Sequence, residues 1–169
     1  MEHIKRCFKV SLDITHPSID PEDISRELSL SPLRQTKVGE QRSTPGGGPL
    51  MGTYQFSFWC HAFETSGVSD LGTFLASLSQ RLVPHGSFFV GLVREGGSVE
   101  LFCGVFADGN WDEVLDHTLM RRLADMAIDL RLDVYPAVGE PIAVQEATRG
   151  KTGHYTVQGR AVDRPEAVL

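Results

Sequence analysis

Three stretches of the chain carry residue types that could do chemistry. "TRGKTG", residues 148–153, ends like a phosphate-binding loop, with Gly150 and Lys151 beside Thr152. Backbone amides, a cation and a hydroxyl in that order would cradle a phosphate. The motif also needs a glycine five positions before Gly150, where Gln145 stands, and a buried strand leading into a helix. An ordinary polar turn is the better reading. "DGNWDE" offers Asp108, Asn110 and Asp112 at alternate positions, the first three oxygen ligands of a calcium loop. Glu113 then occupies the place of the turning glycine, and Leu119 that of the bidentate carboxylate. The stretch reads instead as a capped turn into a helix, with Asn110 and Glu113 spaced as a loose capping box. Cys60 and His61 are adjacent, and neighbours on a strand point to opposite faces, so they cannot share one ion. His3, His16, His85, His117 and His154 have no paired ligand spacing, and no metal site is expected. No G-x-S-x-G occurs, and no serine or cysteine is placed beside a histidine in a way that predicts nucleophilic catalysis.

Two features point to binding. Between residues 33 and 52 lies a stretch without periodicity that holds Arg34, Lys37, Glu40 and Arg42, a positive surplus in a protein whose formal net charge is −6. Its cations could hold an anionic ligand, the arginines bidentately. "STPGGGP" suits a solvated connection, which is the favoured reading of the loop. The second feature is a set of aromatic residues that strand alternation would gather on one sheet face, set out below.

The elements that must position these residues follow from period and capping. With 169 residues, 41% hydrophobic and 22% charged, the chain can bury one good core. "FKVSLDI" alternates as a half-buried strand, with Phe8, Val10, Leu12 and Ile14 on one side. "DPEDISREL" reads as a helix: Asp20 caps, Pro21 takes the first helical position, and Glu22 and Asp23 suit the positive end of the dipole. In "TYQFSFWCHA", Tyr54, Phe56, Phe58 and Cys60 face one way, with Gln55, Ser57, Trp59 and His61 the other. Leu71, Phe74, Leu75, Leu78 and Leu82 fall at helical spacing after Ser69 or Asp70.

"SFFVGLVREGGSVELFCGVF" then reads as a hairpin turning at Gly96–Gly97. Its register would set Leu92 against Leu101, Val90 against Cys103 and Phe88 against Val105, with Gly91 beside Phe102 and Gly104 beside Phe89. Leu119, Met120, Leu123, Met126, Ala127 and Leu130 describe a last helix, and "RLDVY" a last strand. The order from residue 53 is the ferredoxin-like β-α-β-β-α-β pattern, preceded by an extra N-terminal strand and helix, in one α+β domain over residues 1–136. Residues 137–169 form a polar C-terminal extension in which "IAVQEAT" and "HYTVQGR" flank a weak hairpin. On this register the core face carries Phe56, Phe58, Val90, Leu92, Leu101 and Cys103. The opposite face carries Trp59, His61, Phe89, Phe102, Phe106, Arg131, Asp133 and Tyr135, which something must cover or bind.

The same ordered landmarks resemble an uncharacterised bacterial family, domain of unknown function 4279, over roughly residues 6 to 136. They are the alternating first strand, "DPEDISREL", Pro32, "VGE" at Val38–Glu40, Trp59, "LMRRLADMAIDL" and "LDVYP". The resemblance implies a small stand-alone bacterial protein without a known cofactor or activity, and it makes none of Gly39, Glu40 or Trp59 catalytic.

The expectation is a non-catalytic binding module for a protein partner, an immunity or accessory protein of a bacterial cytoplasm, with self-association as one form and no cofactor. The rival is a sensor or enzyme for a small anionic ligand, its pocket between the 33–52 loop and the sheet. The acidic balance and the missing basic, glycine-aromatic signature disfavour nucleic acid. No secretory signal and no apolar run of membrane-spanning length is visible. Cys7, Cys60 and Cys103 read as reduced thiols.

Overall fold

The structure is a computed structural model and describes residues 7–44, 46–107 and 111–136. The expected C-terminal hairpin and the "TRGKTG" turn lie outside the described residues, as do Asp108 and Asn110. The fold is mixed α+β. Its main sheet has five strands in the order β2-β5-β1-β6-β7, and a separate two-stranded sheet is formed by β3 and β4.

β1 (Cys7–His16) is buried at every second residue, with Leu12 and Ile14 fully enclosed. It is the middle strand and not an N-terminal addition, pairing antiparallel with β5 (Ser57–Phe63) on one side and with β6 (Ser98–Ala107) on the other. α1 (Pro21–Leu28) begins as its capping residues dictate: the Asp20 carboxylate accepts from the Glu22 amide at 3.1 Å, and Pro21 needs no donor. The turn between β1 and α1 is held by buried His16, whose Nδ1 accepts from the amides of Ser18 (3.2 Å) and Ile19 (2.9 Å). The neutral ring therefore carries its proton on Nε2, which faces Glu95 Oε2 at 3.4 Å, within ion-pair range but not hydrogen-bonded.

The 33–52 stretch is not structureless. β2 (Arg34–Thr36) adds to the edge of β5, and β3 (Gln41–Ser43) and β4 (Pro49–Thr53) make an arm whose strand residues are all exposed. α2 (Leu71–Leu82) has the expected span, with Asp70 Oδ1 accepting from the Thr73 amide at 2.6 Å. The loose capping box is replaced by a different arrangement: Asp116 caps α4 (His117–Asp125) at the Leu119 amide, and Glu113 accepts from the Gly72 amide at the start of α2. α4 is shorter than its apolar spacing suggested, because Ala127 takes a left-handed φ of 55° and β7 (Asp129–Pro136) starts two residues later, with Leu130 in the strand.

The expected hairpin is the main correction. Residues 86–94 form α3 (Gly86–Arg94), joined to α2 by a 3₁₀ turn, Val83–His85. Phe89 and Leu92, three apart, are the residues α3 buries. An apolar run this short satisfies the periods of both strand and helix, so period alone does not decide it. The place beside β6 is taken by β1, which sets Leu12 opposite Leu101, Val10 opposite Cys103 and Phe8 opposite Val105. From residue 57 the order is strand, helix, helix, strand, helix, strand, with β6 and β7 parallel, and the ferredoxin-like order with its central hairpin is not what the chain forms.

The core lies between the sheet and the helices. Leu75, Leu78, Phe89, Leu92, Leu119 and Leu123 from the helices meet Leu12, Ile14, Trp59, Leu101 and Cys103 from the strands. Each large apolar side chain enclosed there contributes about 1.5–3 kcal/mol.

Gly91 and Gly97 separate the two descriptions of this region. A Cβ on Gly91 meets nothing within 4 Å, whereas one on Gly97 would lie 2.7 Å from His16 Cδ2 and 2.8 Å from the carbonyls of Leu92 and Thr15. In urea unfolding, Gly91→Ala is expected to stabilise the protein by about 0.5–1 kcal/mol, as in a helix interior. Gly97→Ala is expected to destabilise it by about 1–3 kcal/mol. The reverse ranking would contradict the helix.

Candidate functional site

Once β1 turns Phe8, Val10, Leu12 and Ile14 toward the helices, the pleat sends Lys9, Ser11, Asp13 and Thr15 to the other side. Register carries that parity across the sheet. Ser11 stands level with Ala62 and Phe102, and Phe102 with Arg131. Asp13 is level with Cys60 and Glu100, Cys60 with Arg34, and Glu100 with Asp129. Cys7 is level with Phe106, and Phe106 with Tyr135. The helices pack on the other side, and no described element covers this face.

Its side chains hold one another in place. The Arg34 guanidinium lies over the Phe58 ring, 5.0 Å from the centroid. Phe106 and Tyr135 stack with centroids 5.1 Å apart and planes at 16°. The Tyr135 hydroxyl donates to Asp133 Oδ2 at 2.5 Å, a bond that raises the phenol above its ordinary pKa. Arg131 pairs with Glu100 at 3.2 Å, and Ser11 Oγ donates to Asp13 Oδ1 at 2.9 Å. Gly104 leaves a gap among the rings of Phe102, Phe106 and Tyr135, which would stand 3.6–3.9 Å from a Cβ placed there.

Six of the residues singled out from sequence come together here: Arg34 with Phe102, Phe106, Arg131, Asp133 and Tyr135. Trp59, His61 and Phe89 do not. Trp59 is fully buried on the helix side, where its indole N–H donates to Ser25 Oγ of α1 at 2.9 Å. His61 projects to that side too, level with Leu12; its Nδ1 lies 2.6 Å from the Ser31 carbonyl and its ring stacks 6.1 Å from that of Trp59. Phe89 is enclosed beneath α3. The expected core residue Phe58 is on the open face, Phe56 is exposed before β5, and Val90 is half-buried on α3. Alternation along β5 fixed which residues share a side; it could not say which side faced the helices, because both sets contain rings.

The loop cations do not act as one group. Lys37 pairs with Asp20, a contact that raises the ammonium pKa and lowers that of the carboxylate. Arg34 is engaged with Phe58, and Arg42 is exposed on β3. Glu40 sits at the base of the arm, its carbonyl accepting from the Tyr54 amide at 3.0 Å. Missed by sequence reading were Lys9, Asp13, Phe58 and Glu100, the partner of Arg131, which parity reveals once β1 is placed at the centre.

Elsewhere, a cleft of about 380 Å³ between the starts of α2 and α4 is lined by Asp70, Asp112, Glu113 and Asp116. Three of these cap helix amides. Among the described residues no group of three or more His, Cys, Asp or Glu is placed to hold a metal ion. No described helix is long and apolar enough to cross a membrane.

Burial first, then the charge of Asp13, pushes the Cys60 thiol up to about 12, and burial pushes Cys103 to about 12. Neither is a nucleophile near neutral pH. Cys7 is exposed. With Ellman's reagent at pH 8, Cys7 is expected to react promptly in the folded protein, half-buried Cys60 slowly because its thiol stays protonated, and buried Cys103 on unfolding, so Cys7→Ser should abolish the prompt phase. Prompt reaction in Cys7→Ser would contradict the raised pKa of Cys60 and the burial of Cys103.

Residues 5–137 match a family described as a domain of unknown function, DUF4279. No curated protein and no solved structure matches the chain.

Proposed function

The chain belongs to that DUF4279 family, and on this footing we propose that it is a non-catalytic binding module that docks a protein partner on the open face of its sheet. One observation carries the reading: Phe58, Phe102, Phe106 and Tyr135 are held on paired strands, partly exposed, with nothing described above them. Aromatic rings with few rotatable bonds lose little entropy on contact, and their enrichment in interface cores reflects this. Arg131, Glu100, Asp13 and Asp133 are bonded within the face, so a partner meets oriented dipoles and an ion pair. In a bacterial cytoplasm such a module would fit an immunity or accessory role, in which a small acidic protein neutralises or adapts another.

The exposed arm is a second feature such a partner could touch. Leu50 and Met51 of β4 are 40% and 94% exposed. Its base is tied to α1, by Lys37 to Asp20 and by Gln35 to Glu22 at 2.6 Å.

Affinity capture with three forms of the full chain tests the reading. A protein retained by the wild type and by Met51→Asp, but lost with Phe102→Lys, is expected, with circular dichroism unchanged in both variants. Equal retention by all three would remove the face from the account. Retention that vanishes with nuclease, or falls steeply with salt, would favour RNA instead.

A further inference from the structure

We propose that the occupant of the open face is a second copy of this chain, packed sheet to sheet about a two-fold axis running along β1. The inference rests on the reading of that face as a protein-docking surface and names its partner.

β1 is the middle of five strands, so a rotation about its length exchanges β5 with β6 and β2 with β7. Facing sheets stack about 10 Å apart with strands within about 30° of parallel, and their side chains interdigitate. The observed register then gives the contacts. Phe102 is level with Ser11 and Ala62, so it meets Ala62 of the second copy. Phe58 is level with Thr15 and Ser98, so it meets Ser98 of the second copy. A ring lies over a small residue at both levels, and symmetry makes each contact twice.

Charge follows the same rule at the rim. Arg34 on β2 and Asp129 on β7 stand at one level, at opposite edges of the sheet. The rotation therefore places Arg34 over Asp129 of the second copy and the reverse. Residues of β1 meet themselves: Asp13 faces Asp13 and Lys9 faces Lys9, and these like pairs oppose association. The rotation lays β1 over itself along its length, β5 over β6 from the level of Val10 to that of Thr15, and β2 over β7 only at the level of Asp13; at about 3.3 Å per residue and 4.8 Å per strand this overlap is about 380 Å² in projection. That is about half of the roughly 800 Å² each partner contributes to a standard interface and fits a weak, reversible dimer.

Sedimentation equilibrium of the full chain at micromolar concentrations tests this. A dimer is expected, reduced to monomer by Phe102→Lys with circular dichroism unchanged. Arg34→Glu and Asp129→Lys should each raise the dimer dissociation constant about tenfold, the combined reversal should return it to within about threefold, and Asp13→Asn should lower it. Cys7 lies on the axis, so a bis-maleimide spanning about 10 Å should link two copies, and Cys7→Ser should prevent this. A monomer at 100 µM, or a dimer that Phe102→Lys leaves intact, overturns the inference. If the monomer still captures another protein that Phe102→Lys releases, the docking reading stands without this partner; with no such protein, both fail.

Discussion

The two-sided pairing of β1 is the constraint on which the rest of the structure depends. Antiparallel ladders to β5 and β6 satisfy the backbone groups of this strand on both edges, and its alternating Phe8, Val10, Leu12 and Ile14 give the sheet its inner side. Because the side-chain period is two, a slip of one residue along either ladder would exchange the faces of the neighbouring strand. Trp59 would leave the helices for solvent, and Phe102 would enter the core. The fully enclosed Leu12, Ile14, Trp59 and Leu101 resist such a slip through the apolar area they would expose.

From that register the two sides acquire different chemistry. The inner side is apolar except where a polar atom has a specific task, as in the Trp59 indole bonded to Ser25 or His16 accepting the two amides of the turn into α1. The outer side mixes rings with charges held at fixed places by Glu100–Arg131, Arg34–Phe58 and Tyr135–Asp133. Such a surface offers ordered apolar area among fixed charges, whereas three of the carboxylates in the acidic cleft at the starts of α2 and α4 are already used to cap helix amides.

How much of this was legible in the chain depended on whether the deciding interaction was local. β1, α1 and α2 could be read because period and capping lie within a dozen residues: Asp20 with Pro21, and Asp70 before Leu71. Residues 86–94 could not, since Phe88, Phe89, Val90 and Leu92 fit a strand and a helix alike, and what excluded the strand was the presence of β1 beside β6, more than eighty residues earlier in sequence. The arm was invisible for another reason: β3 and β4 bury nothing, so they leave no hydrophobic period to read. The candidate site was half legible. Phe102, Phe106, Arg131, Asp133 and Tyr135 were placed together, whereas Arg34 was read as a loop cation and joins them only through the pairing of β2 with β5. Trp59 and His61 were set on the wrong side because alternation gives a period without a sign, and Phe89 because its segment is a helix and not a strand.

The central claim is that Phe102, Phe106 and Tyr135 lie on a face open for association while Trp59 and Phe89 lie under the helices. Hydroxyl-radical footprinting read by mass spectrometry tests it most directly. In dilute protein, Phe102, Phe106 and Tyr135 should be oxidised readily and Trp59 and Phe89 hardly at all; raising the protein concentration should protect Phe102, which the rotation sets over Ala62 of a second copy, and leave Trp59 and Phe89 unchanged. Oxidation of Trp59 as fast as that of Phe102, or labelling of Phe102 that is indifferent to concentration and to any captured protein, would contradict the account.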